Sequence, residues 1–240
     1  MTDTSRRVFL TGGLAAAGAA LSGCTVETAP ASTPEPPPVT PDGRIRATTR
    51  AVPLSPVAER YGIEPIDYGP LPDGRFVIPP QPMSLVPETH HRQVVPHTGS
   101  HRPGVIIVNN RDRYLFLILP QGHALRYGVG VGREGLAFRG TGTIYRKAQW
   151  PTWTPTANMI RRDPSLARFA GGYPGSLTNP LGARALYLMS GGQDRGFRIH
   201  GTPEWHSIGR YASSGCIRML QHDAIDLYNR VPVGTQVIVV

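Results

Sequence analysis

At 240 residues the chain has room for one large domain or two small ones, but 25 prolines and 28 glycines, unevenly spread, make the foldable part shorter than the whole. The formal charge of +9 is carried almost entirely by arginine, Lys147 being the only lysine. The basic residues are scattered rather than striped, with no RNP, helix-turn-helix or zinc-knuckle pattern. That argues against a nucleic-acid partner and leaves genome composition or attraction to a carboxylate-rich polymer.

Residues 5–10 (SRRVFL) read as a twin-arginine export signal, followed by a mild Ala/Gly-rich apolar run to about residue 20. That run is too short for a membrane span, which needs about 20 apolar residues. It ends in Leu21-Ser22-Gly23-Cys24, which looks like a lipobox with Cys24 as the lipidation site; ordinary cleavage nearby without a lipid is the alternative. A lipid there would hold the protein on a membrane surface without spanning it. The expected organisation is a signal over 1–24, a Pro-rich extended tether over 25–43, an irregular extension over 44–103 and a catalytic domain over 104–240. His90, His91, His97 and His101 cluster in the extension, but no ligand-spaced cysteines or carboxylates accompany them. Neither a metal nor a cofactor is implied.

From Val105 the character changes. Residues 105–108 and 114–119 read as strands around a polar turn. The run Gly128-Val129-Gly130-Val131-Gly132 has a period of two and no following helix, so it reads as a strand with close backbone approach, not a nucleotide loop. Further strands are expected at 142–148, 186–189, 196–200 and 233–240. One short helix is expected at 223–230, with Asp223 as its N-cap. The expected fold is a β-rich barrel or sandwich of about 135 residues, the size of one domain.

Setting Cys24 aside leaves Cys216 as the only other cysteine, either a small buried hydrophobe or a reactive thiol; composition alone favours burial. A strand ends at His200, and a Gly/Ser-rich loop then delivers Cys216 just ahead of the helix. An imidazole can take a thiol proton. Gly215 leaves room beside the sulfur. Backbone N–H groups of Ser213, Ser214, Gly215 and Cys216 are candidates for an oxyanion hole. If the stretch is extended, Arg218 shares a face with Cys216. Glu204 is a candidate to orient His200. The spacing of His200 and Cys216 is by itself only suggestive.

The segment resembles the signature of the L,D-transpeptidases, the family built on the YkuD domain. The matching blocks are His200-Gly201, Ser207-Ile208-Gly209 and Ser214-Gly215-Cys216-Ile217-Arg218, continuing into 223–228 and 233–237, with Asn179-Pro180-Leu181-Gly182 upstream and Trp150-Pro151-Thr152-Trp153 at the start of a lid. The resemblance covers about residues 105–240. It implies a peptidoglycan enzyme that cleaves after the diaminopimelate of a tetrapeptide stem, holds the acyl group on a cysteine and passes it to an amine. Passing it to water instead makes a carboxypeptidase; a wall-binding lipoprotein without catalysis is a third reading. Carried over, Cys216 is the nucleophile and His200 the base, and the Gly201 carbonyl orients the imidazole, which puts Glu204 second for that role. Arg218 supports substrate binding. Ser214 stands where many members carry histidine. His206 and His222 read as solvent or helix-edge residues.

The lid, about residues 150–175, contains Trp150, Trp153, Met159, Arg161, Arg162 and Tyr173. Its aromatics serve either packing or a cap over the stem peptide, with Trp153 and Tyr173 as binding candidates. The expected partners are peptidoglycan stems and a membrane reached through the lipid, with the protein a monomer in the periplasm.

Overall fold

The computed structural model describes residues 56–133, 138–213 and 215–240. The expected signal, Cys24, the tether and the start of the extension lie outside the described residues, as does Ser214. In chain order the strands are β1 (Leu71–Asp73), β2 (Phe76–Ile78), β3 (Gln93–Pro96), β4 (Ile106–Asn109), β5 (Tyr114–Leu119), β6 (His123–Gly128), β7 (Val131–Gly132) and β8 (Gly140–Gln149). After the helix α1 (Ala157–Arg162) come β9 (Arg184–Ser190), β10 (Gln193–Gly201), β11 (Tyr211–Ser213) and β12 (Ile217–Met219). The helix α2 (Gln221–Arg230) and β13 (Gln236–Val239) complete the order.

The protein is mainly β. Nine strands form one sheet in the order β12-β10-β9-β8-β13-β4-β5-β6-β3. Two connections are parallel, β13 on β4 and β12 on β10; the other pairings in this sheet are antiparallel. Runs such as Ile106-Ile107-Val108 supply β-branched residues that suit a pleated, buried surface. Beyond β6 the chain turns toward the far end of the sheet. There Gly130 exchanges backbone hydrogen bonds with Arg218 of β12 at 2.9 and 2.7 Å, so the sheet curls until its two ends meet.

The alternating glycines serve this closure. A Cβ at Gly128 would collide with the carbonyl of His90, and one at Gly130 would press on the carbonyl of Ser207. Both positions therefore require close backbone approach.

The core lies between the curled sheet and α2, with Ile106, Leu115, Leu125, Ile144, Leu186, Ile199, Ile217 and Leu227 fully buried. Burial of such side chains stabilises by roughly 1.5–3 kcal/mol each before conformational entropy is counted. Lys147 donates to the carbonyls of Tyr228 (2.6 Å) and Val231 (2.7 Å), which satisfies the C-terminal end of α2.

Several expectations need correction. The helix begins at Gln221, so Asp223 is not its cap; it is buried, and Tyr68 donates to it at 2.7 Å. His222 stands at the helix edge, in the first turn of α2, but is not a solvent residue. It is buried, with Nε2 at 2.9 Å from the Gly69 carbonyl oxygen, whereas His206 is exposed. The extension is more regular than its Pro/Gly content suggested: it supplies the β1–β2 hairpin and the edge strand β3, and His90 stacks on Tyr114 at 4.9 Å. The lid carries α1 and a 3-10 segment, Pro164–Phe169, so it is not an unstructured loop. Among the described residues no helix is long and apolar enough to cross a membrane.

Candidate active site

His200 sits near the end of β10, in register with Arg218 of the parallel strand β12. This pairing carries the segment through Cys216 alongside the strand end that holds the imidazole. His200 Nδ1 lies 2.7 Å from the Gly201 carbonyl oxygen. A carbonyl only accepts, so Nδ1 carries the proton and Nε2 is left as the basic nitrogen. Burial pushes the His200 pKa down to about 4, against the hydrogen bond to Gly201; the Arg218 and Arg198 cations add to the lowering. The ring is therefore neutral at ordinary pH, in the form that can accept a proton.

Gly201 has no room for a side chain. Its α-carbon faces Gln221, whose buried amide oxygen accepts from the Ala183 N–H at 2.9 Å. The first residue of α2 thus locks the strand end bearing His200 against residues 182–183.

Cys216 is half-buried, and its Sγ lies 3.6 Å from the carbonyl oxygen of Gly196. Burial raises its thiol pKa, while Arg198 and Arg218 pull it back. Both shifts favour the uncharged forms, thiol and neutral ring, over thiolate and imidazolium. The turn ahead of the thiol is tied by Ser213. Its hydroxyl donates to the Cys216 carbonyl at 2.5 Å and accepts from the Gly215 N–H at 3.1 Å. The Gly215 N–H is thereby used, which removes it from the expected oxyanion donors; Gly215 itself is buried with φ 131.

Cys216, His200, Arg218, Glu204 and Ser213 line one cavity of about 480 Å³ together with Trp153, Met159, Arg162 and Leu166 of the lid. Thiol, neutral base, an arginine wall and a lid that contributes Trp153, Met159 and Leu166 beside Arg162 and Asp163 suit attack on an amide or ester carbonyl that carries nearby carboxylates.

A sequence profile for the L,D-transpeptidase catalytic domain, YkuD, matches residues 103–239. The chain belongs to the YkuD family. It is 35% identical over 139 residues to the probable L,D-transpeptidase ErfK/SrfK of Escherichia coli, covering 55% of this chain and 42% of that protein. It is 31% identical over 174 residues to the probable L,D-transpeptidase YbiS of the same organism, covering 70% and 50%. The chain thus spans about half the length of these relatives. Among solved structures, a probable carnitine operon oxidoreductase from Brucella melitensis aligns at 45% identity over 65% of this chain and 96% of that chain, with a TM-score of 0.45. L,D-transpeptidase 3 from Mycobacterium tuberculosis, with a faropenem-derived adduct, aligns at 21% identity over 56% and 59%, with a TM-score of 0.42.

In this YkuD domain the expected site residues fall into two groups. Cys216, His200, Arg218 and Trp153 all line the cavity, and Gly201 bonds the imidazole. Tyr173 does not line it. Tyr173 pairs with Trp153 through backbone hydrogen bonds and stacks on Phe169 at 4.6 Å, so it holds the lid together. Glu204 does not orient His200; its carboxylate accepts from Arg218 at 2.8 Å and partly neutralises the cationic wall.

Two residues that sequence reasoning left without a role now have one. Arg133, at the end of β7, lines the cavity, and its N–H donates to the Ser213 carbonyl at 3.1 Å. Asn179 is fully buried. Its side-chain NH₂ faces the carbonyls of Pro151 (3.1 Å), Tyr173 (2.8 Å) and Pro174 (3.0 Å), and its oxygen accepts from Leu181 N–H at 2.8 Å. It therefore ties both legs of the lid. The Asn-Pro-Leu-Gly block was the signal for it.

Proposed function

We propose that this chain is an exported peptidoglycan L,D-transpeptidase that works through an acyl-enzyme on Cys216. The observation that carries the reading is the placement of a thiol, a neutral imidazole with free Nε2 and a partly neutralised arginine in one lidded cavity of a YkuD domain.

His200 Nε2 takes the Cys216 proton as sulfur adds to the diaminopimelate carbonyl of a tetrapeptide stem. The resulting oxyanion is met by backbone N–H groups, with the Cys216 N–H as a candidate in the turn. Collapse breaks the C–N bond, and His200 returns the proton to the departing amine, so D-alanine leaves and a thioester remains. An acceptor amine then attacks the thioester, loses a proton to His200 and forms the new amide, and the thiol is restored. Arg218 holds a stem carboxylate, and Trp153 closes over the peptide.

The sequence also supports a location. The twin-arginine motif at residues 5–10 and the lipobox-like Leu21-Ser22-Gly23-Cys24 support work outside the cytoplasm, on a membrane surface if Cys24 carries a lipid.

Purified enzyme incubated with disaccharide-tetrapeptides tests this. Crosslinked dimers with free D-alanine are expected. Tripeptides alone would assign the acyl group to water and make the protein a carboxypeptidase. Unchanged tetrapeptides would overturn the enzyme reading.

A further inference from the structure

The lid leaves the sheet at Trp150 and returns at about Gly175, and these two points touch: a Cβ at Gly175 would collide with the Trp150 carbonyl. Trp150 itself has φ 44, the left-handed region. For a bulky residue this conformation is unfavourable, so it must be imposed by its surroundings.

Part of that imposition comes from the β1–β2 hairpin, which precedes the matched family domain at 103–239. Asp73 and Phe76 are cross-strand partners in the hairpin. Phe76 packs its ring on Trp150 at 4.2 Å between centroids, and the Arg75 guanidinium lies 4.8 Å from the Phe76 ring. Asp73 accepts two hydrogen bonds from Arg184, at 2.7 and 2.8 Å, in a largely buried ion pair. Arg184 is the register partner of Gln149, the residue before Trp150, and Trp150 N–H donates to Ala183 at 2.8 Å. One rung of the hairpin thus grips the rung of β8 and β9 from which the lid springs.

We infer that this hairpin sets the posture of the lid, with Phe76 and Asp73 as positioning residues for stem binding. The lid brings Trp153, Met159, Arg162 and Leu166 to the cavity wall. A hinge held in an unfavourable conformation by outside contacts relaxes when those contacts are removed, and the lid residues then lose their shared placement. The backbone that carries the thiol, held by β10 and the Ser213 turn, keeps its place although the lid residues that share its cavity move.

The consequence for stem binding rests on the transpeptidase reading; the consequence for lid mobility does not. The test uses the full chain with Phe76→Leu, which keeps apolar bulk but loses the ring contact, Phe76→Tyr, which keeps the ring, and Asp73→Asn. Trypsin can cut the lid at Arg161, Arg162 and Arg168. In Phe76→Leu and Asp73→Asn, lid cleavage should accelerate several-fold, stem KM should rise several-fold with kcat held, and trypsin cleavage outside 150–175 should stay at the wild-type rate. Phe76→Tyr should match wild type throughout. Wild-type lid cleavage in both Phe76→Leu and Asp73→Asn overturns the inference, as does an equal acceleration of cleavage outside the lid. A wild-type enzyme that no stem peptide acylates sinks the transpeptidase reading instead, and trypsin alone then decides the hairpin's role.

Discussion

His200 and Arg218 face each other in register across the parallel strands β10 and β12, and the guanidinium of Arg218 is held 2.8 Å from Glu204. The cation lowers the proton affinity of both the imidazole and the Cys216 thiol. Its position therefore bears on the working pH of the pair as well as on substrate binding.

Arg218→Met should shift the acid limb of kcat/KM. His200 acts as a base only when neutral, so activity falls as pH drops through its pKa of about 4. Removing the cation, with Glu204 left uncompensated, raises that pKa and moves the acid limb upward, toward the ordinary histidine value of about 6.5. A pH–rate profile of stem acylation checks this; an unmoved limb would mean that burial alone sets the imidazole.

Gly201→Ala should cost both stability and activity. The new methyl group meets the buried Gln221 amide, and overpacking of this kind costs about 1–3 kcal/mol. The strand end must shift, taking the Gly201 carbonyl off Nδ1. Chemical denaturation and kcat together report it, and Gln221→Ala in the same background should recover part of the stability.

Asn179→Ala should loosen the lid while sparing the thiol. The buried Pro151 carbonyl and Leu181 N–H lose a partner, while the Tyr173 carbonyl keeps the Trp153 N–H, and a buried unsatisfied group costs about 1–3 kcal/mol. Hydrogen exchange across 150–175 should rise in the variant. Unchanged exchange would remove Asn179 from the account of the lid.

Asp223 should make stability fall with rising pH. Burial raises its pKa from 3.8 to about 7, against the hydrogen bond from Tyr68 and the Arg92 cation; Asp226 adds to the rise. Between those values the unfolded chain has released the proton and the folded chain retains it. The stabilisation is therefore full below about pH 4 and lost by the time pH has risen through 7. Asp223→Asn should gain on wild type over that window in urea unfolding, by an amount on the order of a few kcal/mol. A constant difference from pH 4 to 8 would contradict it.

Much of the sheet was legible because its strands are apolar runs bounded by turn residues: 114–119 coincides with β5, and the 128–132 glycines mark real backbone contacts. The cavity-lining thiol and imidazole were legible through ordered blocks around them. Other features depend on distant partners. β3 is four residues long and is a strand only because β6 lies beside it. In α1, Ala-Asn-Met-Ile-Arg-Arg shows no apolar stripe, and its start is marked only by Thr156 accepting from the Met159 N–H. Asp223 looked like a cap because the buried tyrosine that holds it lies 155 positions away. Glu204 stood only second, behind the Gly201 carbonyl, as orienter of His200, and its pairing with Arg218 is not legible locally because Arg218 returns on the neighbouring strand.

The central claim is that Cys216 carries the acyl group after His200 takes its proton. Intact-protein mass spectrometry during incubation with a tetrapeptide stem measures this directly. The account predicts an adduct equal to the stem minus D-alanine, mapped to Cys216, absent in Cys216→Ala and formed far more slowly in His200→Ala. An adduct that persists in Cys216→Ala, or product formed by that variant at the wild-type rate, would contradict it.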